Sequence, residues 1–432
     1  MQIQLKKFLP HVYAIIIFLV IVLVYFSPLL SGKALSQHDI LQWQGASKEI
    51  FDFREKHHSE PLWTNSMFSG MPAYQISVLY PANLIKYVND LLCLWLPAPA
   101  NFIFLMMIGF YLLLISLKAD FRLSIAGAIA FAFSSYHFVI IIAGHNSKAH
   151  AIALMPLVVA GVLMTFRGKL LSGGIITALA LALQVYANHL QISYYLFIAL
   201  VVLGVCELVQ AIRKKTIPAF FKSAAVLACA AILGILPNIT SLWATYEYGK
   251  NSTRSQSELT EKKVSGGLDK DYALAYSYGV AETFTLLIPR FQGGASGEEL
   301  GKNSATYKAL KDNSVPEQQA LRFISSVPLY FGNMRMTSGP PYAGAIIVFL
   351  FVLGLFIVKD EIKWWLAVAT LIAIILAWGK NDFTGLTDFF FDHFPAYNKF
   401  RAVSMILVVT EFCIPLLAIL AFKKIIDGSI KS

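Results

Sequence analysis

Polarity along this chain comes in long blocks. Apolar residues run on for about 17 to 25 positions before polar stretches interrupt them, the length an α-helix needs to cross a hydrocarbon layer at 1.5 Å per residue. Ten such runs can be read: His11 to Leu30, Asn101 to Leu117, Ser124 to Ala143, Ala149 to Phe166 and Leu171 to Ala187, then Leu190 to Gln210, Phe221 to Trp243, Tyr342 to Val358, Lys363 to Trp378 and Ala402 to Phe422. Very short connections between several of them predict antiparallel neighbouring helices. Alternating segments of about ten residues, the sign of a membrane β-barrel, are missing. The pattern predicts an all-α polytopic membrane protein with about ten transmembrane helices in a single domain covering residues 1–432.

Composition agrees. The 432 residues are 57% hydrophobic and 14% charged, with a mean hydropathy of +0.63, outside the range of soluble domains. A formal net charge of +10 would suggest nucleic acid in a soluble chain. Here the bias of Lys and Arg toward cytoplasmic loops is a sufficient cause, and no nucleic-acid partner is expected. Cys93, Cys206, Cys229 and Cys413 are scattered and imply neither a disulfide framework nor a CxxC metal site. The first run is too long for a signal-peptide core and is expected to remain as an anchor.

Charge also orients the chain. Lys6 and Lys7, Lys118 and Arg122, Arg167 and Lys169, Arg213 to Lys215, Lys359 and Lys363, and Lys423, Lys424 and Lys431 all fall on one side if ten spans are counted. That places both termini in the cytoplasm. Three substantial pieces then lie outside: residues 31–100, 244–341 and 379–401. In the first, DILQWQGASKEIFDFREKHH mixes apolar and polar positions as an interfacial helix does. In the second, TRSQSELTEKK and FQGGASGEELG are polar or Gly-rich and expected to be mobile in part. In the third, NDFTGLTDFFFDHFPAYNKFRAVS predicts an interfacial helix with its aromatic face in lipid.

Chemistry is expected on that outer side. Asp39, beside His38 in SGKALSQHDILQWQG, could act as a general base toward an acceptor hydroxyl. Taken alone, such an acid is more often simply solvated. One acid and one His are a weak metal signal, so a divalent cation is possible but not indicated. The turn GHNSKAH gathers His145, Asn146, Lys148 and His150 at the start of a helix, where outward N–H groups favour an anion such as a lipid-linked phosphate. A positive turn touching headgroups is the equal alternative. Lys399 and Arg401 could reach the same phosphate or merely snorkel. His189 and Gln191, in ANHLQISYY, would line the same cleft. Glu411 and His137 fall inside spans, where ionisable groups are costly and usually face the bundle interior. No P-loop and no strong internal repeat are present, which argues against a built-in ATPase and gives no sign of an inverted-repeat transporter.

Assembled, the segments SQHDILQW, GHNSKAHAIALMPLVVAG, NHLQISYYL, PRFQGGAS, TSGPPYAGAIIVFLFVLGLF and AYNKFRAVSMILVV resemble the bacterial YfhO family, and they are spread over nearly the whole chain. That family resembles the GT-C class of polytopic glycosyltransferases. The resemblance implies transfer of a sugar from a polyprenyl-phosphate donor to a cell-envelope polymer outside the membrane. It also implies a catalytic acid soon after the first span, where Asp39 stands. The GHNSK turn departs from the second acidic motif of that class and offers Lys and His instead. The expected mechanism has Asp39 activate the acceptor while Lys148, His145, His150 and Arg401, with Lys399, hold the donor phosphate. Two other classes remain: a transporter or flippase of lipid-linked sugars using His137 and Glu411, and a non-catalytic envelope-assembly protein.

Overall fold

The computed structural model describes residues 2–255 and 267–428. Helix α1 spans Gln2–Tyr25, followed by the single turn α2 (Ser27–Leu30). Segment 31–100 carries α3 (His38–Ala46), α4 (Lys48–His57), a small antiparallel pairing of β1 (Trp63–Thr64) with β2 (Met71–Pro72), and α5 (Ile85–Leu92). Next come α6 (Ala100–Ser116), α7 (Phe121–Ala132), α8 (Ser135–Ala143), α9 (Asn146–Phe166), α10 (Leu170–Tyr186) and α11 (Leu190–Arg213). Helix α12 (Ile217–Ile235) continues through a 3-10 turn into α13 (Ile239–Gly249). Short helices α14 (Lys270–Ala273), α15 (Ala305–Asp312) and α16 (Glu317–Ile324) lie in segment 244–341. The chain ends with α17 (Ala345–Ile357), α18 (Ile362–Trp378), α19 (Leu386–His393) and α20 (Leu407–Ile426).

This is an all-α polytopic membrane protein. All ten apolar runs fold as helix, but not with equal reach. Among the described residues six helical segments are long and apolar enough to cross a membrane, and the pair α7–α8, bent by 43°, makes a seventh if it is taken as one span. The other three, α6, α10 and α17, have 17, 17 and 13 residues. The bend has a visible cause. Ser135 leaves the helical ladder to bond the chain ahead of α17: its N–H donates to the Tyr342 carbonyl and its hydroxyl accepts from the Tyr342 N–H at 2.7 Å.

Helices α9 and α20 are buried over most of their apolar length, 83% and 89%, against 17% for α1. They form the axis of the bundle, and the others wrap it. Helices α9 and α10 approach closely because Gly161 faces Thr177 and Gly173 faces Thr165. A Cβ at Gly161 would stand 2.6 Å from the Thr177 backbone nitrogen. Each threonine hydroxyl turns back to a carbonyl of its own helix, Thr165 to Gly161 and Thr177 to Gly173, so the contact carries no orphan donor. At one end of the bundle Arg167, Lys214 and Asp360, from three different interhelical loops, line one cavity, so those loops share an end.

One local expectation changes. The aromatic helix α19 does not lay its whole aromatic face outward, because Phe390 and Phe391 are buried and Phe389 and Phe383 are exposed. Most of the TRSQSELTEKK stretch, and Lys431, lie outside the described residues.

Candidate functional site at the α3 and α8–α9 junction

The chain enters α3 through Gln37, which is extended and buried. The Gln37 side chain is pinned to the far side of a two-residue turn. Its Nε2 donates to the Ile141 carbonyl and, at 2.9 Å, to Asn146 Oδ1, while Asn146 Nδ2 returns a bond to Gln37 Oε1 at 3.3 Å. That turn is Gly144–His145, between α8 and α9. Gly144 has φ +96°, and its N–H and that of His145 close back onto the Ile141 and Ile140 carbonyls, which ends α8. A Cβ at Gly144 would stand 3.0 Å from Asp39 Cβ and 3.1 Å from the Ile40 nitrogen. The bare glycine is what lets α3 sit on the turn.

The result is a contact between groups more than 100 positions apart: His145 Nε2 lies 3.0 Å from Asp39 Oδ2, with the side chains 40% and 49% exposed. A pair that open to solvent adds at most about 1 kcal/mol to stability. Its significance is orientation. Burial, with the Lys148 charge second, holds the His145 imidazole below its usual range despite the upward pull of Asp39. A neutral ring at neutral pH donates Nε2–H to the carboxylate. Nδ1, which is buried and has no hydrogen-bond partner, is then the bare nitrogen.

One turn further along, Lys148 is buried, with Nζ 5.0 Å from the Tyr136 ring centroid. Among the described residues no carboxylate pairs with it. In its charged form a buried Lys148, with a ring face as its partner among the described residues, carries a desolvation cost of several kcal/mol, which an anionic ligand would offset. His189, just before α11, feels the Lys148 charge. Burial first and Lys148 second push its imidazole down to about 4. Asp39, His145, Lys148 and His189 therefore form one electrostatic group.

The remaining predicted residues are placed differently. His38 is exposed beside Asp39. His150 turns to the other side of α9, where Nε2 meets Asn89 Oδ1 of α5 at 2.7 Å and the ring packs on Phe102. Gln191 donates to Tyr195 Oη at 2.8 Å and to the Arg401 carbonyl at 2.6 Å, which ties α11 to the approach of α20. The Arg401 guanidinium is held on Tyr272, and Lys399 Nζ donates to the Arg254 carbonyl at 2.7 Å. Among the described residues no hydrogen bond or ion pair brings His150 or Arg401 to the Asp39–His145 pair, and the Lys399 bond to Arg254 lies away from it.

Inside the bundle, Glu411 of α20 accepts from Ser134 Oγ at 2.6 Å, while its other oxygen and both buried ring nitrogens of His137 have no hydrogen-bond partner among the described residues. Sequence reading missed Glu282. It is buried in segment 244–341, accepts from the Gly279 and Asn333 N–H groups at 2.6 and 3.0 Å, and takes the Tyr330 hydroxyl. The nearby tyrosines in YSYGVAETF were its only trace. Glu49, Glu60 and Glu298 are similarly used up in closing loops. Among the described residues no three His, Cys, Asp or Glu side chains gather so as to hold a metal ion. Comparison with known protein families, with curated proteins and with solved structures finds no match for this chain.

Proposed function

We propose that this protein is a YfhO-type membrane glycosyltransferase of GT-C character, moving a sugar from a polyprenyl-phosphate donor to a cell-envelope polymer at the outer face of a bacterial inner membrane. The observation that supports this most is a half-exposed carboxylate bonded to an imidazole that lies within electrostatic reach of a buried lysine: Asp39, His145 and Lys148. The basic loops around Arg167 and Lys214 argue for a cytoplasmic end opposite this junction, with both termini on that side.

In the reaction, the acceptor hydroxyl gives its proton to Asp39 as its oxygen attacks the anomeric carbon. The bond from that carbon to the phosphate oxygen breaks, and polyprenyl phosphate departs. His145 holds one Asp39 oxygen and leaves the other for the proton. The charge growing on the leaving phosphate falls to Lys148, with neutral His189 available as a donor, an electrostatic contribution that is often the largest in such transfers. Arg401, Lys399 and His150 drop out of direct phosphate binding in this scheme because each is engaged elsewhere.

A second reading, a carrier or flippase of lipid-linked sugars, draws on the unpaired polar atoms of Glu411 and His137 within the bundle. Substitution separates the two. Asp39→Asn abolishing transfer in proteoliposomes, with Glu411→Gln retaining it, supports the transferase; the opposite pattern supports the carrier.

A further inference from the structure

At the end of the bundle opposite Asp39, a cavity of about 320 Å³ opens between the ends of α9 and α11 and the starts of α12 and α18. Its polar wall holds Arg167, Lys214, Glu207 and Asp360, and Phe166 and Phe220 supply apolar wall. Two cations and two carboxylates have been gathered, yet none of the four forms an ion pair among the described residues. Lys214 Nζ donates to Gln210 Oε1 at 3.0 Å, and Asp360 caps the Ile362 N–H at 3.1 Å. Charges that are close enough to feel one another but too far apart to pair leave room for a ligand that carries both signs.

We propose that this cavity binds the headgroup of an aminophospholipid, with the phosphate against Arg167 and Lys214 and the primary ammonium against Glu207 and Asp360. Size supports a headgroup rather than a whole nucleotide sugar, since the volume lies at the bottom of the roughly 300–1,000 Å³ range of ligand sites. Position supports a lipid. The cavity lies where the apolar spans α9 and α11 end, the depth at which lipid headgroups sit. The balanced charge disfavours an anionic lipid. A trimethylammonium headgroup is disfavoured too, because it has no N–H to give the carboxylates, and Phe166 and Phe220 stack on each other at 5.7 Å instead of caging a cation. This inference needs only that this end of the bundle lies at a leaflet surface, and it is independent of the proposed transfer reaction.

The test is native mass spectrometry of the full chain released from nanodiscs of phosphatidylcholine doped with phosphatidylethanolamine or phosphatidylglycerol. Retention of phosphatidylethanolamine about tenfold over phosphatidylcholine is expected, the size of one or two charge-assisted hydrogen bonds. Glu207→Gln with Asp360→Asn should erase that preference, and Arg167→Gln with Lys214→Gln should weaken both lipids alike. Should the variants fail to fold, stepwise N-methylation of the lipid on the unaltered protein reads the same contact and should lower retention with each methyl. Equal retention of the two zwitterionic lipids, a preference for phosphatidylglycerol, or a preference that survives loss of both carboxylates or full methylation would overturn the proposal. Displacement of the lipid by soluble phosphoethanolamine at equal concentration would overturn its lipid part.

Discussion

Gly144→Ala probes the seating of α3 on the α8–α9 turn. At φ +96° the backbone is left-handed, which costs a residue with a side chain about 1 to 2 kcal/mol. The new methyl carbon would also meet Asp39 Cβ at 3.0 Å and the Ile40 nitrogen at 3.1 Å. These atoms belong to the main chain or its first carbon and cannot swing aside, so α3 must move, adding about 1 to 3 kcal/mol of overpacking. Gly168→Ala is the matched control: its φ is +85°, but nothing lies within 4 Å of the added carbon. Denaturant titration in mixed micelles should therefore show Gly144→Ala losing about 2 to 5 kcal/mol and Gly168→Ala about 1 to 2. The Gly144→Ala protein should also expose His145 to acylating reagents as Asp39 withdraws. Equal losses in the two variants, with His145 no more reactive, would mean that α3 does not rest on the turn.

Other outcomes follow from individual groups. Lys148→Met should leave the ligand-free protein as stable or more so, because an unpaired buried cation is removed, while weakening polyprenyl-phosphate binding about tenfold or more; a destabilised protein with unchanged binding would contradict this. His189, held down to about 4 against an ordinary value near 6.5, contributes nothing above pH ~6.5, where it is neutral folded or unfolded. As pH falls from there toward 4 the unfolded chain takes up a proton that the folded one refuses, so stability should drop by up to about 3 kcal/mol. His189→Asn should flatten that slope, and an unchanged slope would refute the assignment. Glu282→Gln should cost about 1 to 3 kcal/mol through a broken hydrogen-bond cage, read as faster limited proteolysis between residues 280 and 340; an unaltered cleavage rate would contradict it.

The helical bundle was legible because lipid imposes a simple rule: long apolar runs become helix, and all ten did. What the rule does not contain is the tertiary bonding that interrupts a run. Ser134 and Ser135 look like ordinary tolerated serines within Ser124 to Ala143, but bonds to Tyr342, Pro340 and Glu411 bend the chain there. The break in Phe221 to Trp243 had a local sign in Pro237, and Asn238 completes it by bonding the Ala182 carbonyl at 2.8 Å. Asp39 and the GHNSK turn could each be singled out by their place beside an apolar run. The expected mechanism set them in one site, but the direct Asp39–His145 contact could not be read, since it depends on Gln37, Asn146 and a glycine without a Cβ. Arg401 and Lys399 looked like free cations because nothing local announces Tyr272 or the Arg254 carbonyl as partners.

Sugar analysis of the envelope polymers by mass spectrometry, in cells whose own gene copy is replaced by the unaltered sequence, by Asp39→Asn or by nothing, bears most directly on the central claim. A glycan present with the unaltered chain and missing both from the deletion and from folded, membrane-inserted Asp39→Asn is the predicted result. A full glycan complement in Asp39→Asn cells would show that this carboxylate takes no proton in any sugar transfer.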